Sequence, residues 1–222
     1  MIRKEIKMLD NLPNKYTPCC TYDACVQGGT FKADLGTVAA EAKIADITVT
    51  ASAAGSKDFG VSPFVLDAEY GRNIQVVASA ADTAKVTVKG YDYLDQPVTE
   101  ELTLNGTTAV LGVKAFKKIC NIDVPAGTAA TVTVKTGSKF GLPVRCTQVL
   151  ATIESGVKGT VGTLVAPVNT AQTATSADPR GTLSFSSYNG KHLVVIGVAD
   201  DSTFIIDDKE CGGLHGIPHY FA

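Results

Sequence analysis

The sequence predicts an all-β fold, mainly antiparallel, built as a β-sandwich or barrel with extended terminal arms. Short runs rich in β-branched residues alternate between polar and apolar positions, with turn residues between them. No amphipathic helical run separates these strands, as alternating βαβ units would require. Charged residues make up only 19% of the 222 positions, so charge pairs that stabilise helices are scarce.

The first part of the chain is predicted to be an N-terminal arm, residues 1–43, because its short apolar pieces are separated by turn residues. A β-rich core domain is expected over residues 44–168. The remainder, residues 169–222, is expected to hold a linker, closing strands and a C-terminal tail. The core begins with a run of period two from Ile44, which predicts that Ile47 and Val49 face the interior.

The same alternation predicts the other strands, and turn residues mark their ends. Asn105-Gly106 is a favoured two-residue hairpin signal, so an antiparallel hairpin is expected from about Pro97 to Ile119. Residues 169–177 carry no large apolar side chain, which indicates a linker or surface loop. The predicted strands cover residues 73–79, 85–89, 99–104, 117–124, 130–136, 148–154, 160–165, 181–186, 192–198 and 203–207.

Charge and hydropathy exclude several partners. The formal net charge of −2 argues against nucleic acid, which calls for clustered Lys and Arg. No run approaches the ~20 apolar residues of a membrane-spanning helix. Glu5, Lys7 and Asp10 interrupt the first apolar stretch, so no export signal is visible. We therefore expect a soluble protein that is made in a cytoplasm and binds neither nucleic acid nor membrane.

Cysteine spacing predicts free thiols and no metal. The six cysteines are too irregularly spaced for a disulfide framework in a chain of this length. Cys211, His215 and His219 are spaced by four, but glycines and a proline interrupt the helix that would align them. Neither a metal nor another cofactor is expected. The remaining cysteines are Cys19, Cys20, Cys25, Cys120 and Cys146; the first three could supply soft ligands only if a histidine folded nearby.

No motif predicts catalysis, and we do not expect an enzyme. His192 begins an apolar strand, where a surface histidine is the favoured interpretation. A hydrolase that pairs a Cys120 nucleophile with His192 is the enzymatic alternative. A carbohydrate-binding β-sandwich is another alternative, but it needs stacking aromatics, and the chain has no Trp and only 7% aromatic residues.

Residues 90–107, GYDYLDQPVTEELTLNGT, followed by VKAFKKI at residues 113–119, resemble virion proteins of tailed bacteriophages. In that family a strand pair of pattern G-x-D-x-x-G-x-P-x-x-E-x-L leads through a short turn to K-A-F-K. Asp95 stands here where the pattern has glycine. Two further pieces, residues 178–182 followed by Asn189-Gly190, and residues 213–221, resemble proteins associated with phage capsids. These pieces cover about a third of the chain and carry no catalytic residue.

The resemblance implies a capsid decoration or cement protein that binds the major capsid protein in the virion. A minor head or tail component is the alternative. The expected homo-oligomer is a trimer, a common solution at quasi-threefold capsid positions. Terminal arms would order on a partner, although frayed termini with isolated aromatics are an equally good interpretation. The candidate interface anchors are Tyr16, Tyr22, Phe31, Tyr220 and Phe221.

Overall fold

The computed structural model describes residues 30–127, 130–168, 172–185 and 187–199, and over these ranges the chain is all-β. The predicted fold class is confirmed. The strands are β1 (Thr30–Val38), β2 (Lys43–Val49), β3 (Gly55–Asp58), β4 (Phe64–Val65), β5 (Arg72–Ala78), β6 (Lys85–Tyr91), β7 (Pro97–Thr103), β8 (Val110–Leu111), β9 (Lys118–Val124), β10 (Ala130–Gly141), β11 (Cys146–Glu154), β12 (Val157–Lys158), β13 (Leu164–Val165), β14 (Thr182–Ser184) and β15 (Lys191–Ala199).

The strands form antiparallel sheets that pack together in a sandwich-like arrangement, and among the described residues no sheet closes into a barrel. Sheet A has the order β1-β15-β11-β12. Sheet B has the order β13-β14-β10-β5-β8, with β2 also paired to β10. Sheet C has the order β3-β9-β6-β7, with β4 also paired to β9. Consecutive strands are often not neighbours, so much of the pairing joins distant parts of the chain.

The first core lies between sheets B and C and is almost entirely aliphatic. The alternation along β2 and β6 turns one face of each strand inward, as period two requires, whereas β5 is buried along nearly its whole length. Ile47 is 4% exposed and Val49 1%, which confirms the prediction that they face the interior. Phe116 is the one aromatic ring among the buried members of this core.

The second core lies under sheet A and contains aromatic rings. Phe31 on β1 packs against Gly197 on β15, where a Cβ atom would lie 2.8 Å from the Phe31 ring. Phe140 meets Phe185 edge to face, with their ring centroids 5.6 Å apart. Leu183 and Leu193 complete the interior around them. This core therefore joins the first described strand of the chain to the last.

The predicted N-terminal arm needs a correction, because its residues 30–38 form β1. This strand pairs with β15 from Thr30, opposite Val198, to Val38, opposite Lys191. The alternating apolar residues of β1 are buried in the second core. Phe31 is only 4% exposed, so its ring packs inside the chain's own core rather than standing free as an interface anchor.

The predicted hairpin from Pro97 to Ile119 is wrong, because β6 lies between β7 and β9 and pairs with both. The tighter connection is the one between β6 and β7. There Asp92 Oδ1 accepts the N–H groups of Leu94 and Gln96, each at 2.8 Å, and Asp95 adopts a φ of 60°. That φ is the left-handed conformation that glycine favours. The Asn105-Gly106 signal makes only a local turn, closed by an isolated bridge to Thr108.

Most of the other predicted strands are confirmed, with shifted ends. The strand predicted at 130–136 extends to Gly141 as β10, whereas the one predicted at 160–165 shrinks to β13. Residues 172–177 form no strand, in agreement with the loop prediction. The strand predicted at 203–207 lies outside the described residues.

The strand β10 passes through both cores and bends between them. Val132 and Val134 belong to the first core and Phe140 to the second. The register between β10 and β5 shifts between Thr136 and Phe140. The buried guanidinium of Arg72 occupies this irregularity, donating from Nε to the Gly137 carbonyl at 2.8 Å and stacking 5.0 Å from the Phe140 ring. Arg72 therefore donates a hydrogen bond to the Gly137 carbonyl, which lies where the register between β10 and β5 is interrupted.

Candidate functional site

Five charged side chains are buried together where elements of the two cores meet. We call them the charged junction. Each is at most 2% exposed, which is unusual for ionisable residues and requires that they be paired or hydrogen-bonded. They come from the β6–β7 turn, from β7, from the loop before β9 and from the segment before β14. The members are Asp92, Glu100, Lys114, Asp178 and Arg180.

Arg180 is the central cation of the junction. Its Nη2 donates to Asp92 Oδ2 at 2.6 Å, and its guanidinium lies 5.0 Å from the centroid of the Tyr93 ring. The backbone N–H of Arg180 donates to Asp178 Oδ1 at 2.8 Å. Asp178 Oδ2 accepts the N–H of Ala115 at 3.0 Å. The arginine thus ties the turn of sheet C to the segment that leads into sheet B.

Glu100 and Lys114 form the second part of the charged junction. Glu100 Oε1 accepts the N–H groups of Val113 at 2.6 Å and Lys114 at 3.2 Å. Glu100 Oε2 has no hydrogen-bond partner among the described residues. Lys114 Nζ donates to the Thr99 carbonyl at 2.8 Å and to the Thr173 carbonyl, which holds the 172–177 loop against β7.

Burial shifts the pKa values of Glu100, Lys114 and Asp178 toward their neutral forms. Desolvation raises the pKa of Glu100 from 4.5 to about 7, opposed by the N–H groups of Val113 and Lys114. Desolvation also raises the pKa of Asp178, opposed by Arg180, and lowers the pKa of Lys114. Shifted pKa values often mark catalytic groups. Here the groups are buried, and their hydrogen bonds hold backbone segments of different elements together.

The alternative catalytic pair does not assemble. Cys120 lies on β9 in sheet C, His192 lies on β15 in sheet A, and no hydrogen bond joins them. His192 Nε2 lies 2.9 Å from Asp34 Oδ1 at the surface, with about half of its side chain exposed. Both described cysteines are free thiols. Burial raises the pKa of Cys120 and takes that of Cys146 to about 11, which disfavours the nucleophilic thiolate.

The other candidate residues lie outside the described ranges: Tyr16, Tyr22, Tyr220 and Phe221, with Cys19, Cys20, Cys25, Cys211, His215 and His219. The structure does show where their segments join the body. Thr30 pairs with Val198, so residues 1–29 and residues 200–222 attach at the same end of sheet A.

An exposed apolar loop connects β3 to β4, and the sequence analysis missed it. We call residues 58–65 the apolar loop. Val61 is fully exposed and Val65 is 60% exposed. Phe59 and Phe64 support them with ring centroids 6.2 Å apart, and Lys57 lies over the Phe59 ring. The available signal was the run FGVSPFV, in which apolar residues flank turn-forming Gly and Pro.

A cavity of about 500 Å³ lies beside sheet C, lined by Lys85, Glu101 and Asp123 among others. Lys85 Nζ lies 2.7 Å from Glu101 Oε1, so charges of opposite sign already pair at this cavity. Within the described ranges no group of three His, Cys, Asp or Glu side chains is placed to hold a metal ion. Nor do those ranges contain a helix long and apolar enough to cross a membrane.

Comparison with known proteins finds no matching family model, no matching curated protein and no matching solved structure. The described residues define an all-β, sandwich-like protein. Its ionisable cluster is enclosed, and its exposed apolar side chains include those of a surface loop.

Proposed function

We propose that the chain is a structural protein of a tailed-bacteriophage virion that binds and stabilises the assembled capsid lattice as a decoration protein. The observation that carries the proposal is the apolar loop. An exposed loop with Val61 at its tip and two aromatic rings beneath it costs free energy in water and is stabilised when a partner covers it. The enclosed charged junction favours a role in contact over one in catalysis.

The segment that resembles phage virion proteins also supports the proposal. Residues 90–107 form the turn between β6 and β7, the strand β7 and the start of the following loop. Asp95, which replaces the glycine of the phage pattern, adopts the φ that glycine would supply. Its carboxylate also pairs with Lys118 at 2.6 Å. The substitution is therefore compatible with the hairpin that the pattern describes.

The proposed partners are the major capsid protein and further copies of this chain, with a trimer as the expected homo-oligomer. A lattice presents subunits at fixed spacing, so one oligomer engages several of them together. After the first contact the later ones are effectively intramolecular, which strengthens binding without new chemistry. We therefore expect tighter binding to assembled lattice than to unassembled coat subunits.

The test is co-sedimentation of the purified chain with assembled capsid lattice, with unassembled coat subunits as the comparison. Val61→Asp should weaken lattice binding by about tenfold or more, because burying a valine contributes roughly 1.5 kcal/mol or more. Val157→Asp is the matched control, since Val157 is 69% exposed on the separate strand β12. Sedimentation velocity reports the oligomer.

Equal lattice binding by the Val61 and Val157 variants would show that the apolar loop is not part of the interface. Failure of the unmodified chain to bind lattice would reject the decoration role. Binding to isolated tails instead would favour the minor tail component. Deletion of residues 209–222 should weaken lattice binding while circular dichroism keeps its strand signal.

A further inference from the structure

The loop of residues 172–177 lies along the outer edge of sheet C. β7 is the last strand in the order of that sheet, so within the described ranges no further strand pairs with this edge. We call residues 172–177 the strap. The N–H of Glu101 on β7 donates to the carbonyl of Ala174 in the strap at 2.8 Å. The strap therefore occupies part of an edge whose backbone groups are otherwise available for pairing.

Lys114 connects the strap to the carboxyl of Glu100. Its Nζ donates to the Thr99 carbonyl at 2.8 Å and to the Thr173 carbonyl of the strap. Its backbone N–H donates to Glu100 Oε1 at 3.2 Å. Thr99 and Glu101 flank Glu100 on β7, so both attachments of the strap lie beside this carboxyl. A change at Glu100 therefore acts on the residue that holds the strap.

The strap has hydrogen bonds of its own. Its base is closed by the N–H of Val168, which donates to the Asp178 carbonyl at 3.3 Å. Within it, the N–H of Thr173 donates to Ser176 Oγ at 3.1 Å, and the N–H of Ser176 donates to Thr173 Oγ1 at 3.2 Å. Opening of the strap breaks its bonds to the rest of the sandwich and can leave these internal bonds intact.

The carboxyl of Glu100 is hydrogen-bonded through one oxygen. Oε2 is buried and has no hydrogen-bond partner in the part of the chain that the structure describes. A Cβ atom at Gly112 would lie 2.5 Å from Oε2, so the backbone packs directly against this oxygen. Burial without a hydrogen bond costs more for an ionised carboxylate than for the neutral acid. Ionisation therefore favours an open state in which water hydrates the carboxylate.

The charges around Glu100 determine the direction of the pH effect. Desolvation is the largest cause of its raised pKa of about 7, and Asp178 raises that pKa further while Lys114 lowers it. Across the ladder, Val88 on β6 lies opposite Glu100 and contributes no charge. The charged side chains that share the junction with Glu100 are Lys114, Asp92, Asp178 and Arg180, and Lys139 reaches it from β10 through the Gly112 carbonyl.

We propose that the strap is a pH-controlled cover of the β7 edge, docked while Glu100 is protonated and opened when Glu100 ionises. Opening uncovers backbone groups of β7 that an extended segment can pair with. The inference does not depend on the virion role.

The fraction of open strap should rise with pH between about 4.5, the ordinary pKa of Glu100, and about 7, its pKa in the closed state. The rise is at most about tenfold per pH unit for one group. The raised pKa of Asp178 acts in the same direction. The lowered pKa of Lys114 acts in the opposite direction, as the pH rises through that lowered value.

Hydrogen exchange of single amides in the full chain, followed by NMR at about pH 5 and about pH 8, tests the proposal. Each rate is divided by the intrinsic rate of an exposed amide at that pH, which gives a protection factor. Protection of the Glu101 amide should fall by about tenfold or more at the higher pH. The control is the Glu69 amide, which donates to the Leu35 carbonyl at 3.1 Å and so joins another loop to the edge strand β1. Its protection should change by about threefold or less.

Two Glu→Gln variants identify the controlling group. Glu100→Gln should keep the Glu101 amide protected at both pH values, because the amide side chain does not ionise. Glu101→Gln is the matched control and should retain the loss of protection, since the Glu101 carboxylate is partly exposed and pairs with Lys85 at 2.7 Å.

Unchanged protection of the Glu101 amide in the unmodified chain would overturn the proposal. Equal losses at Glu69 and Glu101 would also overturn it, because they would show general loosening rather than opening of the strap. The same loss in Glu100→Gln as in the unmodified chain would assign the control to another group and reject the role of Glu100. The comparison of the two amides needs no variant, so it holds even if Glu100→Gln folds poorly.

Discussion

The two cores of this protein are built from different chemistry. The first is made of β-branched and other aliphatic residues from sheets B and C, with Phe116 as its buried ring. The second combines aromatic rings with strands from both ends of the described chain, and Arg72 and Arg180 stack on its rings. The first is held by non-directional burial, whereas the second also depends on directional contacts to buried charges.

One continuous strand and one cluster of buried charges join the two cores. β10 supplies a continuous backbone through both, but its register breaks between Thr136 and Phe140, where the interiors change. The charged junction bridges the same boundary, because Asp92 lies in the turn of sheet C and Arg180 precedes β14 of sheet B. We infer that the junction couples the two cores, and the predictions below test that coupling.

The largest effect is expected from Arg180→Ala. Removing this cation leaves Asp92 and Asp178 buried without it, and breaking a buried ion pair costs about 3–5 kcal/mol of unfolding free energy. Lys89→Ala is the control, because Lys89 is 55% exposed and pairs with Asp123 at 3.4 Å in the outer part of sheet C. The control should cost less than about 1 kcal/mol. Similar losses in the two variants, measured by urea unfolding, would contradict the account of the junction.

A pH dependence of comparable size is expected from Glu100. Its pKa is about 7 in the folded chain, above the ordinary 4.5, so the folded state holds a proton that the unfolded state has already released between these values. Stability should therefore be greatest below about pH 4.5 for this group and fall by about 3 kcal/mol as the pH rises to about 7. The raised pKa of Asp178 acts in the same direction.

Glu100→Gln should flatten this slope, because the amide does not titrate. Urea unfolding at about pH 5 and about pH 8 measures the difference. An unchanged slope in the variant would assign the pH dependence to other groups.

The smallest effects are expected at the cysteines. Cys146 is fully buried, so Cys146→Ser should cost about 1–3 kcal/mol by placing a hydroxyl in an apolar site. Cys120 is half-buried, and Cys120→Ser should change stability by about 0.5 kcal/mol or less. Neither substitution should abolish folding. Thermal melting with and without reductant completes the test, and a large loss on reduction would contradict the free-thiol prediction.

The sequence predicted the first core better than the second, for a physical reason. Alternation along residues 73–79 and 85–89 is local, and period two identifies the face that enters the apolar core without knowledge of the partner strand, although Asn73 and Gln75 on the other face of β5 are buried too. β1 carries the same alternation, but its partner β15 lies far along the chain, and nearby glycines suggested an arm instead. The hairpin prediction failed because Asn105-Gly106 makes only a local turn, whereas the Asp92 side chain closes the connection between the paired strands β6 and β7.

The charged junction could not be predicted from local pattern. Asp92 and Arg180 are 88 positions apart, and a lone charge in sequence is normally taken as exposed. Lys114 lies within VKAF, where nothing local shows that its amine is enclosed. The apolar loop had a local signal, because apolar residues lie beside the turn-forming residues Gly60 and Pro63 in the sequence, whereas their exposure is seen only in the structure.

Calorimetry of the full chain tests the coupling of the two cores most directly. If the charged junction joins them into one cooperative unit, unfolding should give a single transition whose calorimetric enthalpy equals the van't Hoff enthalpy. Arg180→Ala should then separate the transition into two or lower the ratio of van't Hoff to calorimetric enthalpy. Two resolved transitions in the unmodified chain would show that the cores unfold independently and would contradict the account.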